Sequence, residues 1–192
     1  MKLNNNINYI VSGTERSGTS LMMQLLDKGE VPIAYDTKRK PDINNPRGYY
    51  ELEGGKIIKK IIDNTFDFDK YTGKFIKITA YGLQYLPVYE YKRYKIIYMY
   101  RNIDEIVESM NKMSDKTFDS YETKELLIKL KISAIDTMRL REDIEYKIIS
   151  YNGLLKDHNN PNELDNIRYF LPDFNVNEAK KVIDEKLYRN RK

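Results

Sequence analysis

The stretch from Ile7 to Leu26 constrains the fold more than any other part of the chain. Ile7, Tyr9, Ile10 and Val11 form an apolar run of strand character. Gly13 to Gly18 is a loop of Gly, Ser and Thr with charges, and Leu21, Met22, Leu25 and Leu26 then recur at helical spacing. A strand, a glycine loop and a helix in that order make an anion site. The glycines let backbone N–H groups close on the anion, and the helix N-terminus adds its positive end.

The spacing of Gly13 and Gly18 fits the phosphate-loop pattern G-x-x-x-x-G-K-[ST] except at one place. Thr19 stands where nucleotide-hydrolysing proteins have Lys, and the cation sits inside the loop, at Arg16. That Lys works on the β- and γ-phosphates and the following Ser or Thr on Mg²⁺, so its absence argues against triphosphate chemistry. A second segment bears on the same question. Tyr94 to Tyr100 reads as a buried strand, and Arg101-Asn102-Ile103-Asp104-Glu105-Ile106-Val107-Glu108-Ser109 leads from it into a helix. Arg offers a planar fork of donors to a phosphate. Ser109 lies about two turns into the helix, so its hydroxyl can face back to the strand end.

The loop Arg16-Ser17-Gly18-Thr19-Ser20 and the pair Arg101 and Ser109 together resemble the sulfotransferase family, whose donor is 3′-phosphoadenosine 5′-phosphosulfate (PAPS) and whose nucleotide product is PAP. The resemblance implies that Gly13, Thr14, Arg16, Ser17, Gly18, Thr19 and Ser20 surround the 5′-phosphosulfate, and that Arg101 and Ser109 grip the 3′-phosphate. It extends to Asp36, Arg39, Pro41-Asp42 and Asn45-Pro46-Arg47-Gly48-Tyr49-Tyr50-Glu51, which look like a segment of a bacterial branch. It also covers the strand-end Lys77, Tyr151 near the adenine, and the tail Leu187 to Arg191. The implied catalytic set is Arg16 as the cation at the leaving phosphate, Glu51 as the base and Lys77 at the transferring group, with no metal expected. Arg47 would bind the sulfuryl group or an acidic acceptor. Thr19 and Ser20 also suit helix N-capping.

Two positions depart from the family. Glu15 places a carboxylate in the loop, and Thr79-Ala80-Tyr81 follows Lys77 with no His. The single His, His158, falls in a polar turn, so Glu51 is the first candidate base, with Asp36 behind it. Two other functions stay open: another small-molecule kinase or transferase with a phosphate loop, and a PAP- or PAPS-binding module without catalysis.

At 192 residues, with 41% hydrophobic and 32% charged residues, the chain suits one soluble domain spanning 1–192. No apolar run reaches the length of a membrane span and the start lacks the core of a signal peptide. The absence of Cys excludes disulfides and thiolate metal sites. Together with a donor made inside cells, these features point to the cytoplasm. The net charge of +4 is small, and its main basic clusters, Lys38-Arg39-Lys40 and Lys92-Arg93-Tyr94-Lys95, fall short of the broad basic face with interleaved aromatics that a nucleic-acid surface needs. The expected partner is a small-molecule or glycan acceptor, and the oligomeric state is open.

Strands are expected at 7–12, 74–79, 94–100 and 146–150. Helices are expected at 18–28, near 52–63, and at 103–113, 121–142, 162–170 and 176–185, with a short helix or turn before Leu86-Pro87. The polar segment 29–50 and residues 115–120 read as loops. Leu126, Leu127, Leu130, Ala134, Ile135 and Met138 form a stripe expected in the core. Alternating strands and helices predict a three-layer α/β/α fold with a mainly parallel sheet. Its ligand should lie at the carboxyl ends of the strands.

Overall fold

The structure is a computed structural model that describes residues 2–90, 93–113, 120–156 and 162–183. His158, residues 115–119 and the tail from 187 lie outside the described residues. Four strands, β1 (Ile7–Gly13), β2 (Phe75–Lys77), β3 (Arg93–Tyr100) and β4 (Ile144–Ser150), form one sheet in the order β2-β1-β3-β4. Every pairing in it is parallel. Parallel strands bury both faces, which is why β1 and β3 read as nearly continuous apolar runs.

Alternate side chains feed two separate cores. Tyr9, Val11, Ile97, Met99 and Ile149 face α1 (Thr19–Lys28) and the C-terminal helices α5 (Tyr151–Lys156), α6 (Asn162–Phe170) and α7 (Val176–Lys180). Ile10, Ile76, Tyr94, Ile96 and Tyr98 face the opposite layer, made by α2 (Ile57–Ile62), a 3-10 turn at Ala80–Tyr85 and α4 (Ser120–Leu140). Helix α3 (Ile103–Met113) packs Ile106 and Val107 on Leu127 of α4. The expected three-layer α/β/α architecture is therefore present.

The departures from expectation have local causes. The helix expected near 52–63 starts only at Ile57, because Gly54 and Gly55 take φ of 61° and 88° and form a 3-10 turn with Glu53. In the α4 stripe, Leu127, Ala134 and Met138 are buried, but Leu126 is 57% exposed. Residues seven and eleven positions beyond 127 return to its face at 100° per residue, and 126 falls on the flank. Strand β4 begins at Ile144, two residues early, where Ile144 pairs with Tyr94. Helix α7 ends at Lys180, short of the expected 185. The 29–50 segment is not wholly irregular. Ile33 forms a parallel bridge with Phe75, and Asp36 N–H donates to the Glu51 carbonyl at 2.8 Å, closing the stem of a loop.

Burial holds the Tyr94 hydroxyl well above the usual tyrosine range and pushes that of Tyr98 up to about 12. The unfolded chain releases these protons near the ordinary value of 10 while the native chain keeps them, so stability falls as pH rises from 10 toward 12. Denaturant unfolding at about pH 9 and pH 11 should show a smaller loss between the two for Tyr98→Phe than for the parent chain. An equal loss would place the alkaline sensitivity elsewhere.

Candidate functional site

The loop between β1 and α1 is shaped by two glycines and one strained arginine. Gly13 has φ 153°, and a Cβ there would lie 2.4 Å from the Ser17 hydroxyl and 2.8 Å from the Met99 carbonyl. Gly18 has φ 99°, and a Cβ there would lie 2.3 Å from the Tyr151 ring. Arg16 takes φ 63°, in the left-handed region that non-glycine residues seldom enter. Gly18 is the N-cap of α1 and no side chain caps the helix, so Thr19 and Ser20 do not serve as side-chain caps. The helix start is left facing a cavity of about 640 Å³.

That cavity lies along the carboxyl edge of the sheet, where β2 and β3 flank β1. The chain leaves β1 toward β2 and returns on the other side to β3, so this edge is a topological switch point, the usual place for ligands in open α/β sheets. Its wall includes Thr14, Arg16, Gly18, Thr19, Ser20, Glu51, Lys77, Arg101, Ser109 and Tyr151. Gly13 and Ser17 are not on the wall. The Ser17 hydroxyl is fully buried without a partner among the described residues, and its N–H donates to Thr14 O at 3.2 Å. These two residues form the floor beneath the loop. Glu15 is exposed and also contributes to the wall.

At the β1–β3 end the two sequence motifs meet. Arg16 Nε donates to Ser109 Oγ at 3.0 Å, and Arg101 Nη1 donates to the Arg16 carbonyl at 3.0 Å. Arg101 is buried beside Glu105. Its Nε donates to Glu105 Oε2 at 3.0 Å, and Asn152 Nδ2 donates to the other carboxylate oxygen at 2.8 Å. The Arg101 guanidinium carbon stands 4.4 Å from the centre of the Tyr151 ring. Burial lowers the pKa of Arg16, with the Arg101 charge adding to the effect while Tyr49 opposes it. Burial raises that of the Tyr151 hydroxyl.

At the β1–β2 end a second group of charges surrounds Glu51. Lys77 Nζ is 3.0 Å from Glu51 Oε1, and Arg39 Nη1 is 3.0 Å from Oε2. Lys77 is 6% exposed. It also donates to the Tyr49 carbonyl and to Ser20 Oγ, the latter at 3.3 Å. Burial lowers its pKa, and Glu51 opposes that shift. Asn45 Nδ2 reaches Ser20 Oγ at 3.1 Å, and Arg39 stacks 3.5 Å from the centre of the Tyr49 ring. The Gly55 backbone makes room for this arrangement, since a Cβ there would stand 2.8 Å from Glu51 Oε2.

The expected roles thus separate in space. The Arg16 side chain runs to Ser109, so the cation beside Ser20 at the helix start is Lys77. Asp36 is spent on backbone groups, accepting from Lys38 N in its own turn and from Glu53 N across the loop at 2.9 and 2.5 Å. Arg47 donates to the Val182 carbonyl at 2.6 Å and lines the cavity. Among the described residues no cluster of three or more His, Cys, Asp or Glu side chains is arranged to hold a metal ion. No described helix is long and apolar enough to cross a membrane.

No family model and no curated protein matches the chain. Among solved structures, a retinol dehydratase crystallised with androsterone and the inactive cofactor PAP aligns with a TM-score of 0.50. It is 14% identical over 98% of this chain and 67% of that one. The two share a fold. A sugar kinase from Janibacter sp. HTCC2649, solved without ligand, aligns with a TM-score of 0.40 at 15% identity, over 92% of this chain and 97% of that one.

Sequence reading missed Glu105, Asn152 and the pairing of Arg39 with Glu51. Glu105 carried a usable signal, standing four residues after Arg101 on an expected helix, where opposite charges meet. Glu105→Gln would keep the shape but leave the Arg101 charge buried without its counterion. Removing one partner of such a pair costs about 3–5 kcal/mol. Chemical denaturation should show a loss of that order, and an unchanged midpoint would mean that Arg101 finds compensation elsewhere.

Proposed function

We propose that the chain is a sulfotransferase that uses PAPS as donor, and that the acceptor is a small molecule or glycan bearing a hydroxyl or amine. The observation that carries this reading is the contact between Arg16 and Ser109, which joins the loop after β1 to the helix after β3 across 93 positions. A donor with both a 5′-phosphosulfate and a 3′-phosphate needs those two elements in one cavity.

The residues present fit such a donor. The uncapped start of α1 and the Thr19 and Ser20 positions suit the 5′-phosphosulfate. Arg16, Arg101 and Ser109 suit the 3′-phosphate, with Tyr151 beside them for the base. Gly13 and Ser17 hold the loop in shape from below. When bound, PAPS supplies an activated sulfuryl group whose departure leaves charge on a phosphate. Lys77, buried beside Ser20, puts a cation where that charge would develop, and a buried cation acts strongly there. Glu51, fixed by Lys77 and Arg39, faces the same cavity and is the group proposed to take the acceptor proton. The loop closed by Asp36 and Glu51 would contact the acceptor.

Calorimetric titration is expected to show PAP binding more tightly than ADP, and Arg16→Ala weakening PAP more than ADP. A charge-assisted hydrogen bond is worth about 1.5–3 kcal/mol, so the PAP loss should be roughly tenfold to a hundredfold. Equal affinities for the two nucleotides would sink the reading and favour a kinase-like alternative. Glu51→Gln is expected to lower kcat by roughly 10²–10⁴ while PAP affinity holds, the usual cost of losing a general base. Near-normal turnover in that variant would move the base elsewhere.

A further inference from the structure

We propose that the acceptor taken by the β1–β2 end of the cavity is anionic, carrying a carboxylate, phosphate or sulfate in addition to the group that receives the sulfuryl. The inference rests on the sulfotransferase reading for the word acceptor, but its physical basis is the charge of this wall alone. Lys77, Glu51 and Arg39 form a linked set with one more positive than negative charge. Lys56, exposed on the same wall, adds a further cation and has no acidic partner among the described residues.

The acids of the surrounding segment are engaged away from the cavity. Asp36 accepts the backbone N–H groups of Lys38 in its own turn and of Glu53 across the loop. Asp42 accepts the Tyr49 hydroxyl at 2.7 Å and the N–H groups of Asn44 and Asn45. Glu53 is bridged by Lys38 and Lys60 at 2.9 and 3.1 Å. Of the acids between positions 36 and 56, Glu51 alone reaches the cavity. Glu15, on the loop after β1, is the one other acid on the cavity wall, and cations outnumber the two acids there. A second negative group on the acceptor would meet that excess with charge-assisted hydrogen bonds, which are the stronger kind. The cavity wall also carries apolar surface from Ile43, which lies on the loop that leads to Glu51 and is 79% exposed. A compact aromatic or aliphatic body bearing the anion matches that combination.

The test is calorimetry on the full chain saturated with PAP, using 4-hydroxybenzoate and its neutral counterpart 4-hydroxybenzamide as probes. The benzoate is expected to bind about tenfold to a hundredfold more tightly than the amide. Raising the salt concentration should reduce the difference. Lys56→Glu reverses an exposed charge without touching the core, and it should bring the two probes close to parity. Equal affinities in the parent chain, no heat from the benzoate, or a preference unchanged in Lys56→Glu would each overturn the proposal. The cofactor reading is judged separately, by PAP against ADP in the absence of either probe. A chain that prefers the benzoate but treats PAP and ADP alike would refute the sulfotransferase reading and leave an anion site standing.

Discussion

One guanidinium ties the site together. Arg101 leaves the end of β3 and touches three other pieces of chain: the loop after β1 through the Arg16 carbonyl, the first turn of α3 through Glu105, and the first residue of α5 through the Tyr151 ring. Each piece follows a different strand or begins a different helix. Without the buried carboxylate of Glu105, a desolvated arginine here would be costly. With it, the cation becomes a structural rivet. Arg101 therefore does two jobs that conflict in strength, since the carboxylate that stabilises it in the fold also offsets the charge it can show a ligand. Arg16, whose Nε rests on the neutral Ser109 hydroxyl, is the less compensated cation at that end.

The opposite end follows another logic. Glu51 is held in a fixed position by a buried lysine on one oxygen and a half-exposed arginine on the other, and Gly55 leaves open the space where a side chain would crowd it. The two ends are built from different elements, which the hydrogen bond from Arg47 to the Val182 carbonyl also joins. One belongs to the β1–β3 side and the C-terminal helices, the other to β2 and the loop that follows α1. A ligand spanning both would lie along the β1 carboxyl edge, where the two sets of elements face one cavity.

Much of this was legible in the sequence where local chemistry dictates structure. The apolar runs of β1 and β3, the glycine loop and the amphipathic α3 follow from periodicity and from glycine's conformational freedom. Lys77 was found as a strand-end residue, and β2 does end there. What escaped was side-chain direction. Nothing in a linear reading shows that Arg16 turns toward α3, that Ser17 folds beneath its own loop, or that Arg39 reaches back to Glu51. Those outcomes depend on which strands become neighbours. Consecutive left-handed residues at Glu53, Gly54 and Gly55 likewise break the helix that is expected from near 52 on the isoleucine spacing of 57–62. There a backbone need, space for the Glu51 carboxylate, prevailed over helical periodicity.

The hydrogen bond from Asp36 N–H to the Glu51 carbonyl has an architectural consequence. It closes the stem of the intervening loop, so the position of Glu51 is set by backbone pairing at the stem and not by the side chains of the tip alone. Asp42 and Tyr49 add a second clasp inside that stem. The segment is thereby divided into a backbone-paired stem and a tip held by the side chains of Asn45 and Arg47. The frame that anchors Glu51 and Lys77 is thus held by backbone pairing and a buried ion pair, whatever the loop tip presents to the cavity.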